Sequence, residues 1–171
     1  MDYTKHTINE LLVGMFNYIL YIEERNLKKK NVKLSMSEVH LLESIDKASD
    51  NTMSHIAKRS MITQGTLTTN VKSLVAKGYV ERYKDEKDGR IVRLKVTEAA
   101  KKILKIHDEF HEQMIDKAIA DLKLDENKVL IDSLKNILDY FSEQYGNWKR
   151  LTHLETGEFL NIYILWISNY I

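Results

Sequence analysis

The sequence predicts a mainly α protein with a small β wing, and three observations lead there. Apolar residues recur at helical spacing through most of positions 4–145. Capping residues at Ser35, Thr52, Thr63 and Thr97 divide that pattern into helices of unequal length. Between residues 79 and 96 the period drops to two, with a charged, glycine-containing break in the middle.

The first helix is expected over residues 4–25. Its stripe is Ile8, Leu11, Leu12, Met15, Phe16, Ile19 and Leu20, interrupted by Gly14 at a propensity cost of roughly 1 kcal/mol. The basic segment Asn26–Lys33 breaks the pattern and reads as a loop. Ser35 and Glu38 then have capping-box spacing, and the helix they open turns Val39, Leu42 and Ile45 inward before fading at Ser49-Asp50-Asn51. Thr52 caps a short helix, Met53–Arg59, with Ile56 and Ala57 inside. Thr63 caps the next, whose apolar stripe is Leu67, Val71, Leu74 and Val75. Gly78 stands where a left-handed residue would stop it.

Two β-rich segments follow, Tyr79–Tyr83 and Ile91–Val96, around the charged tip Asp85–Arg90 with its Asp-Gly turn chemistry. Two short helices in succession and then a two-stranded wing with a basic tip make up a winged helix-turn-helix, a DNA-reading unit. Thr97 opens a long helix carrying Ile103, Phe110, Met114, Ala118 and Leu122. Asp125 and Glu126 open another, carrying Val129, Leu130, Leu134, Ile137, Leu138, Phe141 and Tyr145, with Gly146 as its stop.

Such long stripes need a partner surface, and the economical one is a second copy of the same helices. The expected organisation is therefore an N-terminal dimerisation helix and loop (1–34), a DNA-binding lobe (35–96), dimerisation helices (97–145) and an apolar tail (146–171). The tail's run Phe159–Ile167 is too short to span a bilayer and lacks the interleaved Lys and Arg of an interfacial helix. It is expected to lie over the dimer body as a strand or helix.

The chain has 171 residues and no cysteine, which excludes thiol redox sensing and Cys-ligated zinc. Its first residues lack a signal-peptide pattern, and no apolar run approaches the roughly 18 residues of a membrane span; a soluble, cytoplasmic protein without membrane contact is expected. The net charge of +1 conceals an asymmetry: residues 51–96 carry ten basic and four acidic side chains, a local +6, against −5 for the remainder. A basic island on an acidic body is the footprint of a nucleic-acid partner, although an island alone also suits a merely solvated face. No phosphate-binding glycine loop or nucleophile elbow is present, so no enzyme activity and no cofactor are expected.

With Leu67, Val71 and Leu74 inward, Gly65, Thr66, Thr69, Lys72 and Ser73 turn outward, Asn70 lies at the flank, and Gln64 sits at the helix N-terminus. Gln and Asn can pair with adenine N6 and N7, and Thr methyls suit the thymine methyl. Gly65 leaves room for backbone to approach a phosphate. Lys84 and Lys87 suit phosphate contacts, which carry salt dependence rather than sequence preference. His107 and His111 stand one helical turn apart, but Asp108 occupies the place of the Glu in a zinc-hydrolase motif. Spacing supplies no third ligand, so the pair reads as structural, with no metal. A helical metal-binding or protein-interaction dimer using these histidines is the rival class of function.

The run Leu74-Val75-Ala76-Lys77-Gly78-Tyr79-Val80-Glu81-Arg82, then Asp88-Gly89-Arg90 and Leu94-Lys95-Val96-Thr97, resembles the signature of the MarR family of dimeric winged-helix transcription regulators. The resemblance covers residues 4–145 and departs at Ala100, where many members have glycine. It implies a homodimer on a pseudo-palindromic operator in double-stranded DNA, with Arg90 entering the minor groove and Asp88 bracing it. Many members carry Arg at the position of Thr69, so an A·T-rich operator is expected. The stretches Leu34–His40 and Met61–Thr69 look like the subgroup that represses fatty-acid synthesis operons in Gram-positive bacteria. That likeness implies an acyl chain on acyl carrier protein as corepressor, with Phe16, Ile19, Leu20, His40 and Phe110 lining its site by face; each of these also reads as plain core. A small aromatic ligand acting as inducer is the alternative.

Overall fold

The Ser35 hydroxyl accepts from the Glu38 amide (3.3 Å) while the Glu38 carboxylate accepts from the Ser35 amide (3.1 Å), closing the expected capping box. This is the start of helix α2 (Met36–Asp46) in the computed structural model, which describes residues 3–120, 123 and 126–145. Before it runs α1 (Tyr3–Lys29); after it come α3 (Met53–Arg59), α4 (Gln64–Ala76), strands β1 (Val80–Lys84) and β2 (Val92–Val96), α5 (Glu98–Ala120) and α6 (Lys128–Tyr145). Thr52, Thr63 and Thr97 cap α3, α4 and α5, accepting from the amides of His55, Thr66 and Ala100 at 3.3, 3.1 and 3.3 Å.

Helix α4 stops at Gly78, whose φ is +78°, with the Tyr79 amide donating back to the Leu74 carbonyl at 2.9 Å. The same closure recurs without glycine at Asn31 (φ 56°) and Met61 (φ 51°). There the amides of Val32 and Ile62 reach the carbonyls of Leu27 and Ala57, both at 3.0 Å.

Four expectations are corrected. Helix α1 continues into the segment read as a loop, as far as Lys29, because Leu27 is buried in the core one turn after buried Glu23. Val75 is 39% exposed, so the inward stripe of α4 is Leu67, Val71 and Leu74 alone. Helix α6 begins at Lys128, with the Asn127 side chain accepting from the Leu130 amide (3.1 Å), so Glu126 stands before the helix and does not open it. Gly89 has no positive φ, so the wing tip is not an Asp-Gly turn of the left-handed kind. Instead the Asp85 carboxylate accepts from the amides of Lys87 (2.9 Å) and Asp88 (3.0 Å) and shapes the loop.

The strands pair antiparallel, Val80 opposite Val96 through Lys84 opposite Val92. Their inner residues Val80, Leu94 and Val96 join Leu42, Ile45, Ile56, Leu67, Val71 and Leu74 in one core, closed from the other side by Leu27 of α1 and by Ala100, Ile103 and Leu104 of α5. Within α5, His107 and His111 extend that buried stripe while Ala118 is exposed. Large apolar side chains remain uncovered on α1 (Ile8, Leu11, Met15) and α6 (Val129, Leu134, Phe141). Among the described residues no helix is long and apolar enough to cross a membrane. The expectations for Leu122, Asp125, Gly146 and the tail from 147 to 171 lie outside the described residues.

Candidate nucleic-acid interface

Burial of Leu67, Val71 and Leu74 against the core turns the opposite face of α4 to solvent. Gln64, Gly65, Thr66, Thr69 and Lys72 are exposed, and Asn70 is half-buried at the flank. Not every polar group on this face is free. The Thr66 and Thr63 hydroxyls are 2.9 Å apart, and Thr69 donates to the Gly65 carbonyl at 3.2 Å. Ser73 is half-buried and donates to Glu38 at 3.1 Å, so it faces α2. A Cβ added at Gly65 would meet only the Thr63 hydroxyl, at 3.8 Å, an ordinary contact. Nothing inside the protein therefore requires glycine there.

The wing presents a second feature. Arg90 donates from Nε and Nη2 to the two carboxylate oxygens of Asp88, at 3.0 and 2.9 Å, and its amide donates to the same carboxylate. The Arg90 side chain is nevertheless 91% exposed. Hydrogen bonds from the Arg90 side chain, joined by its amide, hold the Asp88 carboxyl below the ordinary carboxylate range. The pair is thus a planar cation oriented by a bidentate fork and offered to solvent. Lys84 and Lys87 are exposed on either side of the loop's start.

Behind the tip lies a brace that residue patterns did not reveal. Arg93 pairs with Asp85 and donates to Asp50 (3.0 Å) and Asn51 (3.1 Å) in the α2–α3 turn. Asn51 in turn donates to the Leu94 carbonyl (2.7 Å) and the Tyr83 hydroxyl (2.9 Å). The Arg93 contact, helped by the Lys87 and Asp88 amides, draws the Asp85 carboxyl down to about 2. Arg93 and Lys77, the latter held by Glu38 at 2.7 and 2.9 Å, are therefore internally paired members of the basic island.

The sequence profile of the MarR family matches residues 34–92. The chain also superposes on the DNA complex of FabT from Streptococcus pneumoniae with a TM-score of 0.77 and 36% identity, covering 82% of this chain and 99% of that one. The chain belongs to the MarR family. A mutant MarR from E. coli complexed with operator DNA is similar at 26% identity and a TM-score of 0.58, over 81% of this chain and 99% of that one. The regulator SarZ of Staphylococcus haemolyticus is 24% identical over 127 residues, 71% of this chain and 85% of its own length.

In this MarR-family chain the residues expected to line an effector site divide into two groups. Phe16, Ile19 and Leu20 are half-buried on α1. His40 is buried on α2 with its ring against His107 (centroids 5.5 Å apart), and half-buried Phe110 packs edge-on against His111. His40 and Phe110 thus join a polar cluster instead of an apolar wall. At its centre stands Glu23, 1% exposed, which spacing could not connect with residues on α2 and α5. Glu23 Oε1 lies 2.8 Å from His111 Nε2 and 4.0 Å from His107 Nε2; its Oε2 lies 3.9 Å from His40 Nε2. Burial, with His107 and His111 adding to it, pushes His40 well below the ordinary histidine value. Burial, reinforced by His111 and Lys47, pushes His107 down to about 3. Both rings are therefore neutral near pH 7.

Proposed function

We propose that the chain is a homodimeric, sequence-specific repressor that reads a pseudo-palindromic, A·T-rich operator. The observation that carries this reading is the Asp88–Arg90 fork, doubly hydrogen-bonded yet exposed on the wing that follows α4. A narrow A·T-rich minor groove has an enhanced negative potential that draws in a guanidinium. Gln64, Thr66, Thr69 and Asn70 meet base edges in the major groove, Gly65 lets backbone approach a phosphate, and Lys72, Lys84 and Lys87 contact phosphates. Asp88 orients Arg90, and Ser73 seats the helix on α2. The uncovered apolar faces of α1 and α6 supply the dimer contact that places two reading units about one helical turn apart.

The likeness to FabT, together with the resemblance of Leu34–His40 and Met61–Thr69 to fatty-acid-synthesis repressors, supports an operon of that pathway as the target. It also favours an acyl chain on acyl carrier protein as corepressor. Fluorescence anisotropy on the DNA upstream of the protein's own gene tests both levels, against scrambled DNA at two salt concentrations, with and without acylated carrier protein. Preference for the upstream DNA supports the repressor, and tightening by the acylated carrier supports the pathway. Equal binding to scrambled DNA at both salts overturns the operator reading; indifference to the carrier overturns the acyl corepressor alone.

A further inference from the structure

Arg93 belongs to the basic island, yet its guanidinium is engaged inside the protein, with the side chain 29% exposed. Nε pairs with Asp85 in the wing loop, and Nη1 donates to Asp50 (3.0 Å) and Asn51 (3.1 Å) in the α2–α3 turn. The planar fork of an arginine serves acceptors in two directions at once, which the point charge of a lysine does not.

Each end of this contact leads on to an element of the DNA-reading unit. Asp50 also accepts from the amide and the hydroxyl of Thr52 (3.1 and 3.2 Å), and Thr52 caps α3, which packs against α4. Asp85 also accepts from the Asp88 amide (3.0 Å), and the Asp88 carboxylate holds Arg90. A run of hydrogen bonds thus joins the start of the helix pair to the exposed Arg90 side chain. The core holds the strands at their base through Val80, Leu94 and Val96. Toward the tip that support fades, with Lys84 exposed and Val92 half-buried. Backbone bonds from Asp85 to Ile91 and from Ile91 to Asp88 close the loop on itself (3.0 and 2.9 Å). They fix its shape and leave its angle to α4 to the side chains, since a two-stranded hairpin alone is marginally stable.

We infer that Arg93 is a positioning residue for DNA recognition: it contacts no DNA and sets the place of Arg90 relative to α4. The minor-groove and major-groove contacts then fall on one operator together. The physical gain is preorganisation, because a loop already held loses less entropy on entering a groove. Arg93, joined by the Asp88 and Lys87 amides, draws the Asp85 carboxyl down to about 2, so the pair stays ionised at neutral pH. This role rests on the operator-binding reading; the hold of Arg93 on the loop does not.

A double-mutant cycle on the full chain tests it, with Arg93→Gln and Arg90→Ala made singly and together, and Arg93→Lys beside them. Anisotropy on the DNA upstream of the protein's own gene is measured across a salt series, against scrambled DNA, at temperatures where thermal melts show every variant folded. Should Arg93→Gln not fold, Asp85→Asn takes its place, since it keeps an acceptor for the loop amides and drops the charge. Arg93→Gln is expected to weaken binding about tenfold in the parent and by less than about twofold in the Arg90→Ala background. Arg93→Lys recovers only part of that loss, and the salt slope stays parental because no phosphate contact is removed. Hydrogen exchange in the free protein rises at the amides of 85–91 and not in α5. An equal loss in both backgrounds overturns action through Arg90, and a slope reduced by about one marks a direct phosphate contact instead. Parental affinity in Arg93→Gln overturns the role outright. A parent without preference over scrambled DNA overturns the repressor reading, while exchange still decides whether Arg93 holds the loop.

Discussion

Lys77 Nζ donates to both carboxylate oxygens of Glu38, at 2.7 and 2.9 Å, tying the C-terminal end of α4 to the first turn of α2. Glu38 also closes the α2 capping box and accepts from Ser73. One carboxylate thus serves a helix start and the seat of a second helix.

Glu38→Ala is therefore expected to cost about 1–3 kcal/mol, the range for losing charged hydrogen bonds and a cap together. Urea unfolding measures it. Burial tends to raise the Glu38 carboxyl, but Lys77, the Ser35 amide and Ser73 outweigh it and hold the group below 4.5. A carboxyl lowered by folding stabilises most above its ordinary value. The parent should lose this contribution as pH falls below 4.5, and the alanine variant should lack that part of the pH dependence.

Arg90→Ala should leave stability within about 0.5 kcal/mol, as for other exposed positions, while operator affinity falls by about 1–3 kcal/mol. Asp88→Ala should give a smaller loss, since it frees the guanidinium without deleting it. Thermal melts and anisotropy on the same preparations separate the two effects. An Arg90→Ala protein with parental affinity would remove the wing from the mechanism.

At Gly65 the added methyl of Gly65→Ala meets nothing closer than 3.8 Å, so melting should be unchanged or slightly raised. Operator affinity should drop on the order of tenfold, equivalent to ~1.4 kcal/mol, if the backbone touches phosphate. Undiminished binding would assign this glycine no part in DNA contact.

Asn51→Ala removes the donors to Leu94 and Tyr83 and the acceptor for Arg93. It should cost about 1–3 kcal/mol and raise hydrogen exchange selectively at the amides of β1 and β2. Uniform exchange across the chain would mean that the wing is held by its own pairing.

Features that depend on neighbours three or four residues apart were legible before any coordinates. The caps at Ser35, Thr52, Thr63 and Thr97, the stop at Gly78 and the inward face of α4 are of this kind, because helix sterics and capping bonds are local. So were the outward positions of Gln64, Thr66 and Thr69, while the Asp88–Arg90 pairing was legible only through the family resemblance. The Asp-Gly step misled, because a carboxylate that accepts two amides can shape a loop without a left-handed glycine. Leu27 and Val75 misled for a different reason: an apolar residue at a helix edge is buried or exposed according to what packs beside it.

By itself, then, the sequence determined the helix-and-wing order, the polar outer face of α4 and membership of the MarR family. Those follow from periodicity, capping and a contiguous signature. Only the tertiary structure decided which charges remain available and which are consumed in the Glu38–Lys77 and Asp50–Arg93 pairs. It alone gathered Glu23, His40, His107 and His111, which lie far apart along the chain, into one buried cluster. The physical reason is that ionic and hydrogen-bond chemistry depends on distance in space, and helix packing sets those distances over separations that no local pattern spans.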